Sequence, residues 1–458
     1  MNLSGALGWV VGGVGLGDSV ENGALPLLGL IAESKLIGHI AIALQIRRCF
    51  MPYFERELSQ WWLSASKQFP VLLLTGPRQV GKTTVLQRLA GDDRAYVTLD
   101  DPTLRVLAQD DPPLFLDRFR PPVLIDEIQY APELLPFIKM RVDDRREPGS
   151  FWLTGSQRFH MMRGVSETLA GRVGIVNLLG FSVREKHRLT LDIPPFLPTK
   201  ESIGSREGDP GPSELMPVFR DIWMGTMPAL NTGEVSDRDL FYSSYLQTYL
   251  QRDVRDINGV GDESAFLSFL RAAAARTGQL LNLAELARDA DVAVNTAKRW
   301  LSILQTSFQV ILLEAYHTNV TKRLVKQPKL YLVDTGLCAY LTEWSSPETL
   351  EAGAMAGALL ETYVVTEILK SWWHRGKRPT AFFYRDKDRR EIDLLLMQDQ
   401  VAYPIEVKKS ASPRAEAVRV FSALDRLGLE RGPGALVCLT GQVVPLTRDV
   451  SAIPVGLI

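Results

Sequence analysis

Four β-forming side chains, Val71, Leu72, Leu73 and Leu74, run together without a polar break, and helical spacing (Val85, Leu86, Leu89) follows a short polar gap. The same switch recurs on both sides. Upstream, residues 51–68 carry Phe54, Leu58, Trp61 and Trp62 at helical spacing, which predicts an amphipathic helix whose tryptophans belong to the core. Downstream, a strand at 96–99 and a helix at 103–108 lead to apolar strands at 122–125, 151–154 and 173–178. Strands alternating with helices predict a parallel sheet covered on both faces, with ligands at its carboxyl edge.

The rhythm changes beyond residue 190. Residues 191–214 are rich in Pro, Gly and charge without periodicity and read as a linker. A helix at 240–254 is expected to form a lid beside the sheet. Residues 264–316 hold three amphipathic helices, two of them at 283–290 and 295–304 around an Asp291-Val292 turn, and strands at 310–316 and 330–333 follow. This is the order of a winged helix-turn-helix. On its last helix Ala297, Leu301 and Leu304 face inward, leaving Asn295, Lys298, Arg299 and Ser302 outside. The bend at 317–329 carries Lys322, Arg323, Lys326 and Lys329 without an acid. Such groups suit the phosphates of DNA; the alternative is a solvated face on an interaction module. A helix at 357–370, a hairpin at 382–386 and 391–397, and a strand at 402–408 close the chain as a small α/β domain. The fold class is therefore α/β, with units expected at 51–190, 216–260, 261–345 and 346–458, the linker at 191–215, and a poorly ordered extension at 1–50.

The chemistry gathers at the strand ends. Gly76, Pro77, Arg78, Gln79, Val80, Gly81, Lys82 and Thr83, with Thr84 beyond, fit the G-x-x-x-x-G-K-[ST] phosphate-binding loop between a strand and a helix. Glycines let successive N–H groups curl around an anion at a helix N-terminus. Lys82 would reach the β- and γ-phosphates and Thr83 would hold Mg²⁺. The strand at 122–125 ends in Asp126, suited to the magnesium shell, and Glu127, able to deprotonate the attacking water. Gln157, past the next strand, would sit between these acids and the γ-phosphate. Arg172 ends a short helix: it either stabilises transition-state charge or answers the helix dipole.

Four motifs stand in one order: the Gly-Pro-Arg-Gln-Val-Gly-Lys-Thr-Thr loop, Leu124-Ile-Asp-Glu-Ile-Gln129, Leu153-Thr-Gly-Ser-Gln157 and Leu169-Ala-Gly-Arg172. Together they resemble the prokaryotic AAA-type P-loop ATPases, and the resemblance covers most of the chain from Met51. It implies nucleotide-dependent activity and a sheet whose first strand is inserted between later ones. The Gly-x-x-Pro element at 225–228 and the Tyr245-x-x-x-Tyr-Leu-x-Arg-Asp253 helix are similar to the same family, with Arg252 and Asp253 pairing for structure. Chains of that family end in an uncharacterised domain. Here Asp393, then Glu406-x-Lys408 thirteen residues on, behind the helix acid Glu361, resembles a restriction-endonuclease-like site. Asp393 and Glu406 on adjacent strands, with Glu361, would share a divalent metal, and Lys408 would polarise water or phosphate. The alternative is an inactive fold of that kind. Six residues turn a helix through about 600°, so Glu367 cannot join Glu361 and is expected in solvent.

Composition narrows the setting. The chain has 458 residues, 46% hydrophobic and 23% charged, with net charge −1, which argues against a wholly basic nucleic-acid coat. Cys49, Cys338 and Cys438 lie far apart, with no pairing or metal spacing, so a reducing, cytoplasmic setting is expected. No Lys or Arg precedes Lys35, unlike a secretory signal, and Glu33, Lys35 and His39 interrupt the apolar run at 24–44, so no membrane span is expected. Gly12, Gly15 and Gly17 resemble a dinucleotide loop but follow no strand, and Met51 is expected as the native start. The leading expectation is a Mg-dependent ATPase whose cycle moves the winged-helix and nuclease-like regions on or near DNA. A nucleotide-gated switch with slow hydrolysis, and an ATP-controlled DNA nuclease, are the alternatives. Whether Arg172 acts in its own subunit or across a homo-oligomer does not follow from the sequence.

Overall fold

The alternating strands and helices build a parallel sheet in the order β2-β3-β4-β1-β5, from β1 (Val71–Thr75), β2 (Ala95–Thr98), β3 (Val123–Asp126), β4 (Phe151–Gly155) and β5 (Val173–Asn177). The structure, a computed structural model, describes residues 53–155, 165, 167–249, 262–317 and 327–458. The N-terminal extension, the Met51 start, Gln157, Arg252, Asp253, Lys322, Arg323 and Lys326 lie outside the described residues. The first strand is inserted between β4 and β5, with Val71 opposite both Phe151 and Val173. Period-two alternation sorts its side chains. Val71 and Leu73 enter one core with Val123 and Ile125, beneath the helices Pro102–Asp110, Pro112–Arg118 and Leu134–Asp144. Leu72 and Leu74 enter another, which runs from Trp62 through the middle region to Ile405 and Ile458.

The first helix is shorter than its pattern. It spans Leu58–Ser66, and Arg56 and Glu57 just before it are buried. Trp62 is fully buried, edge-on to Trp152 at 5.6 Å, so the core reading holds for it. Residues 191–214 are not a linker. Thr199 caps a helix Lys200–Glu207, Phe196 is fully buried, and Arg206, 1% exposed, bonds to the carbonyls of Pro194 and Ser202. The N–H of Gly211 donates to Gly456 near the chain's end.

Helix Arg238–Tyr249 gives its tyrosines to the middle region: Tyr242 to Asp334, Tyr245 to Gln309 and Tyr249 to Ser307. It therefore props that region rather than covering the sheet as a lid. Helices Glu263–Ala274, Leu283–Asp289 and Val294–Thr306 follow, with β6 (Gln279–Leu280), β7 (Val310–Leu313) and β8 (Lys329–Leu332) in the order β6-β8-β7. Ala297, Leu301 and Leu304 are buried, and Asn295, Lys298, Arg299 and Ser302 are exposed.

In the last region helix Ala356–Trp373 lies on a mixed sheet ordered β14-β15-β13-β11-β10-β9. Its strands include β9 (Thr380–Arg385), β10 (Glu391–Gln398), β11 (Val401–Lys408), β13 (Gly434–Cys438), β14 (Val444–Pro445) and β15 (Val450–Pro454), while β12 (Glu430–Arg431) pairs only with β11. That helix is buried nearly all round, since it also meets the parallel-sheet half of the molecule at Phe181 and Val183. Glu367, expected in solvent, is 4% exposed and accepts from the Val183 N–H at 2.8 Å. Among the described residues no helix is long and apolar enough to cross a membrane.

Truncating Trp62 to alanine removes a fully buried ring and should cost about 3–5 kcal/mol. Leu63→Ala, on the 42%-exposed neighbour, should stay within about 0.5 kcal/mol. Urea unfolding of both variants checks the pair.

Candidate nucleotide site

The loop leaves the carboxyl end of β1 in a conformation that its sequence has to permit. Gly76 has φ +151°, and a Cβ there would lie 1.9 Å from the carbonyl oxygen of Leu178, just past β5. Gln79 (φ 61°) and Gly81 (φ 86°) then turn left-handed, which curls the intervening N–H groups inward before helix Lys82–Ala90 begins. Lys82 is 7% exposed, and its ammonium donates to the carbonyls of Gly76 at 3.0 Å and Pro77 at 2.7 Å. Val80 and Pro77 are buried, Arg78 and Gly81 half-buried, and Gln79 and Thr84 exposed.

Two strands away, β3 delivers its acids to the same edge. The Thr83 hydroxyl donates to Asp126 at 2.9 and 3.1 Å to the two carboxylate oxygens. Thr154, at the end of β4, donates to the same carboxylate, and Tyr96 from β2 does so at 3.3 Å. Burial, and then the Asp126 charge, push the Tyr96 phenol up to about 12, so it stays a donor. A hydroxyl and a carboxylate in contact at a phosphate loop are a hard-oxygen pair, the donor type that Mg²⁺ prefers. Glu127 follows in a left-handed backbone (φ 58°, ψ 45°), its N–H bonded to Thr154 Oγ1 at 3.2 Å and its carboxylate held by Gln129. That twist swings its side chain away from the strand direction.

Behind the loop lies a group the sequence does not advertise. Arg56 is 3% exposed and donates to Val80 O at 2.8 Å and Leu179 O at 2.8 Å, while its Nε pairs with Glu185 at 3.0 Å. Glu185 also accepts from the N–H groups of Glu57 and Ser182, and His374 Nδ1 lies 3.5 Å away. Burial alone would raise this carboxyl, but the Arg56 guanidinium, with the His374 imidazole beside it, outweighs that and holds it below the usual range. The other His374 nitrogen, Nε2, accepts from the Leu179 N–H at 3.3 Å.

Arg172 stands elsewhere. Its carbonyl accepts from Val71 N–H, at the amino end of β1, and its guanidinium pairs with Asp143 at 2.5 Å. The five residues of β1 separate it from the loop by roughly 16 Å at about 3.3 Å per residue, so it cannot serve its own chain's phosphates.

The C-terminal acids converge, though not as expected. Leu394 pairs with Ile405, which sets Asp393 beside Glu406. Lys408 lies 2.5 Å from Glu406 and 4.0 Å from Asp393. The middle of the cluster is taken by Lys329 of β8, whose ammonium is 2.8 Å from Glu361, 2.5 Å from Glu391 and 3.5 Å from Asp393. Lys329, expected on DNA, is 2% exposed. Burial and then the Asp393 charge push Glu361 up to about 7 and Glu406 up to about 8. Burial would lower Lys329, but the acids around it raise it and keep it charged. Among the described residues no group of three or more His, Cys, Asp or Glu side chains is set to hold a metal ion. Glu361 and Asp393 thus meet the Lys329 ammonium, and Glu406 meets that of Lys408.

The chain is 31% identical over 389 residues to the uncharacterized protein Rv2008c of Mycobacterium tuberculosis, an alignment covering 84% of this chain and 80% of that one. The uncharacterized protein Mb2031c of Mycobacterium bovis matches with the same figures. The chain belongs to their family. Family models match residues 68–187 as an AAA domain, and 218–348 and 356–458 as two domains of unknown function, DUF8612 and DUF4143. Among solved structures, the Walker-type ATPase paby2304 of Pyrococcus abyssi is 16% identical, covering 63% of this chain and 96% of its own, at a TM-score of 0.35. The match at 68–187 gives this chain an AAA-type P-loop ATPase domain, with Gly76 to Thr84 at the carboxyl edge of its sheet.

Breaking the buried pair by Glu185→Gln leaves the Arg56 charge without its partner and should cost about 3–5 kcal/mol at neutral pH. Because the folded carboxyl is held low, that loss is full above pH about 4.3 and narrows only as the pH falls below it. Denaturant unfolding of variant and parent between pH 3 and 7 reads the gap.

Proposed function

We propose that the protein binds Mg-ATP in the loop Gly76–Thr84 and hydrolyses it slowly, as a nucleotide-gated switch rather than as a nuclease. The contact of Thr83 with Asp126 at the mouth of the loop carries this reading. In it Lys82 leaves the loop carbonyls for the β- and γ-phosphates, Thr83 and Asp126 hold magnesium, which neutralises phosphate charge, and Glu127 takes the proton of the attacking water. Gln157, outside the described residues, would keep its expected role between these acids and the γ-phosphate. Arg172, out of reach in its own chain, would act only on a neighbouring copy in a homo-oligomer.

The switch version is favoured over the nuclease version by the lysine at the centre of the C-terminal acids. Residues 262–332 are read here as a winged helix, supported by their element order. Any contact with DNA would then use Asn295, Lys298, Arg299 and Ser302, which face solvent on one helix, together with Lys322, Arg323 and Lys326 of the bend, which lie outside the described residues.

Lys82→Ala should abolish nucleotide binding, and Glu127→Gln should keep ATP bound while lowering turnover by about 10²–10⁴-fold. ATP affinity and phosphate release, measured with and without duplex DNA, test both; a Glu127→Gln variant with parental turnover would remove Glu127 from the mechanism.

If Arg172 serves a neighbour, turnover per chain should rise with protein concentration, and Arg172→Ala should flatten that rise. A rate independent of concentration, with Arg172→Ala matching the parent, would discard the role.

A further inference from the structure

Lys329 is the first residue of β8 in the middle region, yet its ammonium is surrounded by carboxylates of the last region. Glu361 comes from helix Ala356–Trp373, and Glu391 and Asp393 come from β10. Three oxygens at 2.8, 2.5 and 3.5 Å from the ammonium of a residue only 2% exposed make a built cation site, and the cation is part of the chain. The Tyr331 hydroxyl, two residues along the same strand, donates to Glu361 at 2.7 Å and fixes that carboxylate toward the lysine. A divalent ion would need such oxygens about 2.0–2.6 Å from a shared centre, and the ammonium occupies the space between them.

The other cations nearby cannot substitute. Lys408 has a side chain 48% exposed and leans on Glu406 from the solvent side, and Arg385 meets the far oxygen of Glu391 at 3.0 Å. Charge balance points the same way. Glu361, Glu391, Asp393 and Glu406 already outnumber Lys329, Lys408 and Arg385, so removing the deeply buried Lys329 widens the excess of acids in a low-dielectric setting. Oε2 of Glu406 is buried with no hydrogen-bond partner among the described residues.

We propose that Lys329 is the resident cation of the C-terminal carboxylate cluster, tying the middle region to the last one and keeping a divalent metal out. The acids then act as a latch between two parts of one chain. This holds whether or not the phosphate loop hydrolyses ATP.

Two measurements on the full-length, nucleotide-free protein test it. In the first, Mn²⁺ binding is followed by electron paramagnetic resonance for the parent and for Asp393→Asn. Equal isotherms are expected; a parent site that vanishes in Asp393→Asn would overturn the proposal. The second is a double-mutant cycle on the urea midpoint with Lys329→Met and Glu361→Gln. Lys329→Met should lower the midpoint, and adding Glu361→Gln should recover part of the loss. Two losses that simply add would show that the pair is not coupled and would end the latch. If Lys329→Met does not fold, the Mn²⁺ comparison still decides between a lysine-filled and a metal-filled cluster.

Discussion

The buried pair of Arg56 and Glu185 is the constraint on which the candidate site rests. A guanidinium and a carboxylate taken out of water are tolerated only when their remaining hydrogen bonds are also made. Here those bonds reach Val80 in the phosphate loop, Leu179 after β5, and the N–H groups of Glu57 and Ser182. The loop therefore cannot shift its Val80 carbonyl without disturbing a charge that has no solvent to fall back on. Leu179 is in turn bonded to His374, at the end of the long C-terminal helix, and Lys370 of that helix donates to Phe181 O at 3.0 Å. The phosphate loop and the last region share one polar frame. Contiguity is not coupling in itself, but Arg56, Glu185, His374 and Lys370 are all buried and each makes at least one hydrogen bond within this frame.

The same economy governs the carboxyl edge. Left-handed backbone at Gln79 and Glu127 costs on the order of 1–3 kcal/mol at each residue, and it persists only where surrounding contacts over-determine it. For Glu127 those contacts are the strand beneath it, the Thr154 hydroxyl on its N–H, and Gln129 on its side chain. In the proposed mechanism this strain would set the Glu127 carboxylate in place before any ligand arrives.

What could be read from the sequence was what is local. The loop, the Asp126–Glu127 strand end and the helix after Lys82 are decided by neighbours a few positions apart, and the structure places them together at one edge. Arg56 escaped because its partners lie 24 and 123 residues away, and His374 because it meets Leu179 across 195. No periodicity signals such pairs. Thr154 carried a weak signal, as the last polar residue of a buried strand adjacent to β3. Arg172 is different, for its place was derivable: a residue directly before a parallel strand stands at the amino edge, opposite the ligands. The reading from charge alone passed over that rule. The stretch at 191–214 looked like a linker because its apolar residues, Ile193, Phe196 and Ile203, are too sparse to form a pattern, yet each finds a fully formed surface to cover.

Lys329 shows why a basic bend is an ambiguous sign. A run of lysines without acids says only that their counter-charges are distant in sequence, and a phosphate backbone and a carboxylate cluster one domain away satisfy that condition equally. What separates the two is desolvation. An ammonium contacting DNA keeps much of its water and its stem stays exposed, whereas Lys329 begins a strand whose every residue is buried, so its head group had to find acids inside the protein. Glu367 follows the same logic with the sign reversed, since a helix buried on all sides leaves its acid only a backbone N–H and a lysine to meet. In both cases the apolar residues on either side, Leu330 to Leu332 and Val364 to Leu369, held the information about burial. Charge placed on such a segment marks an internal contact before it marks a ligand.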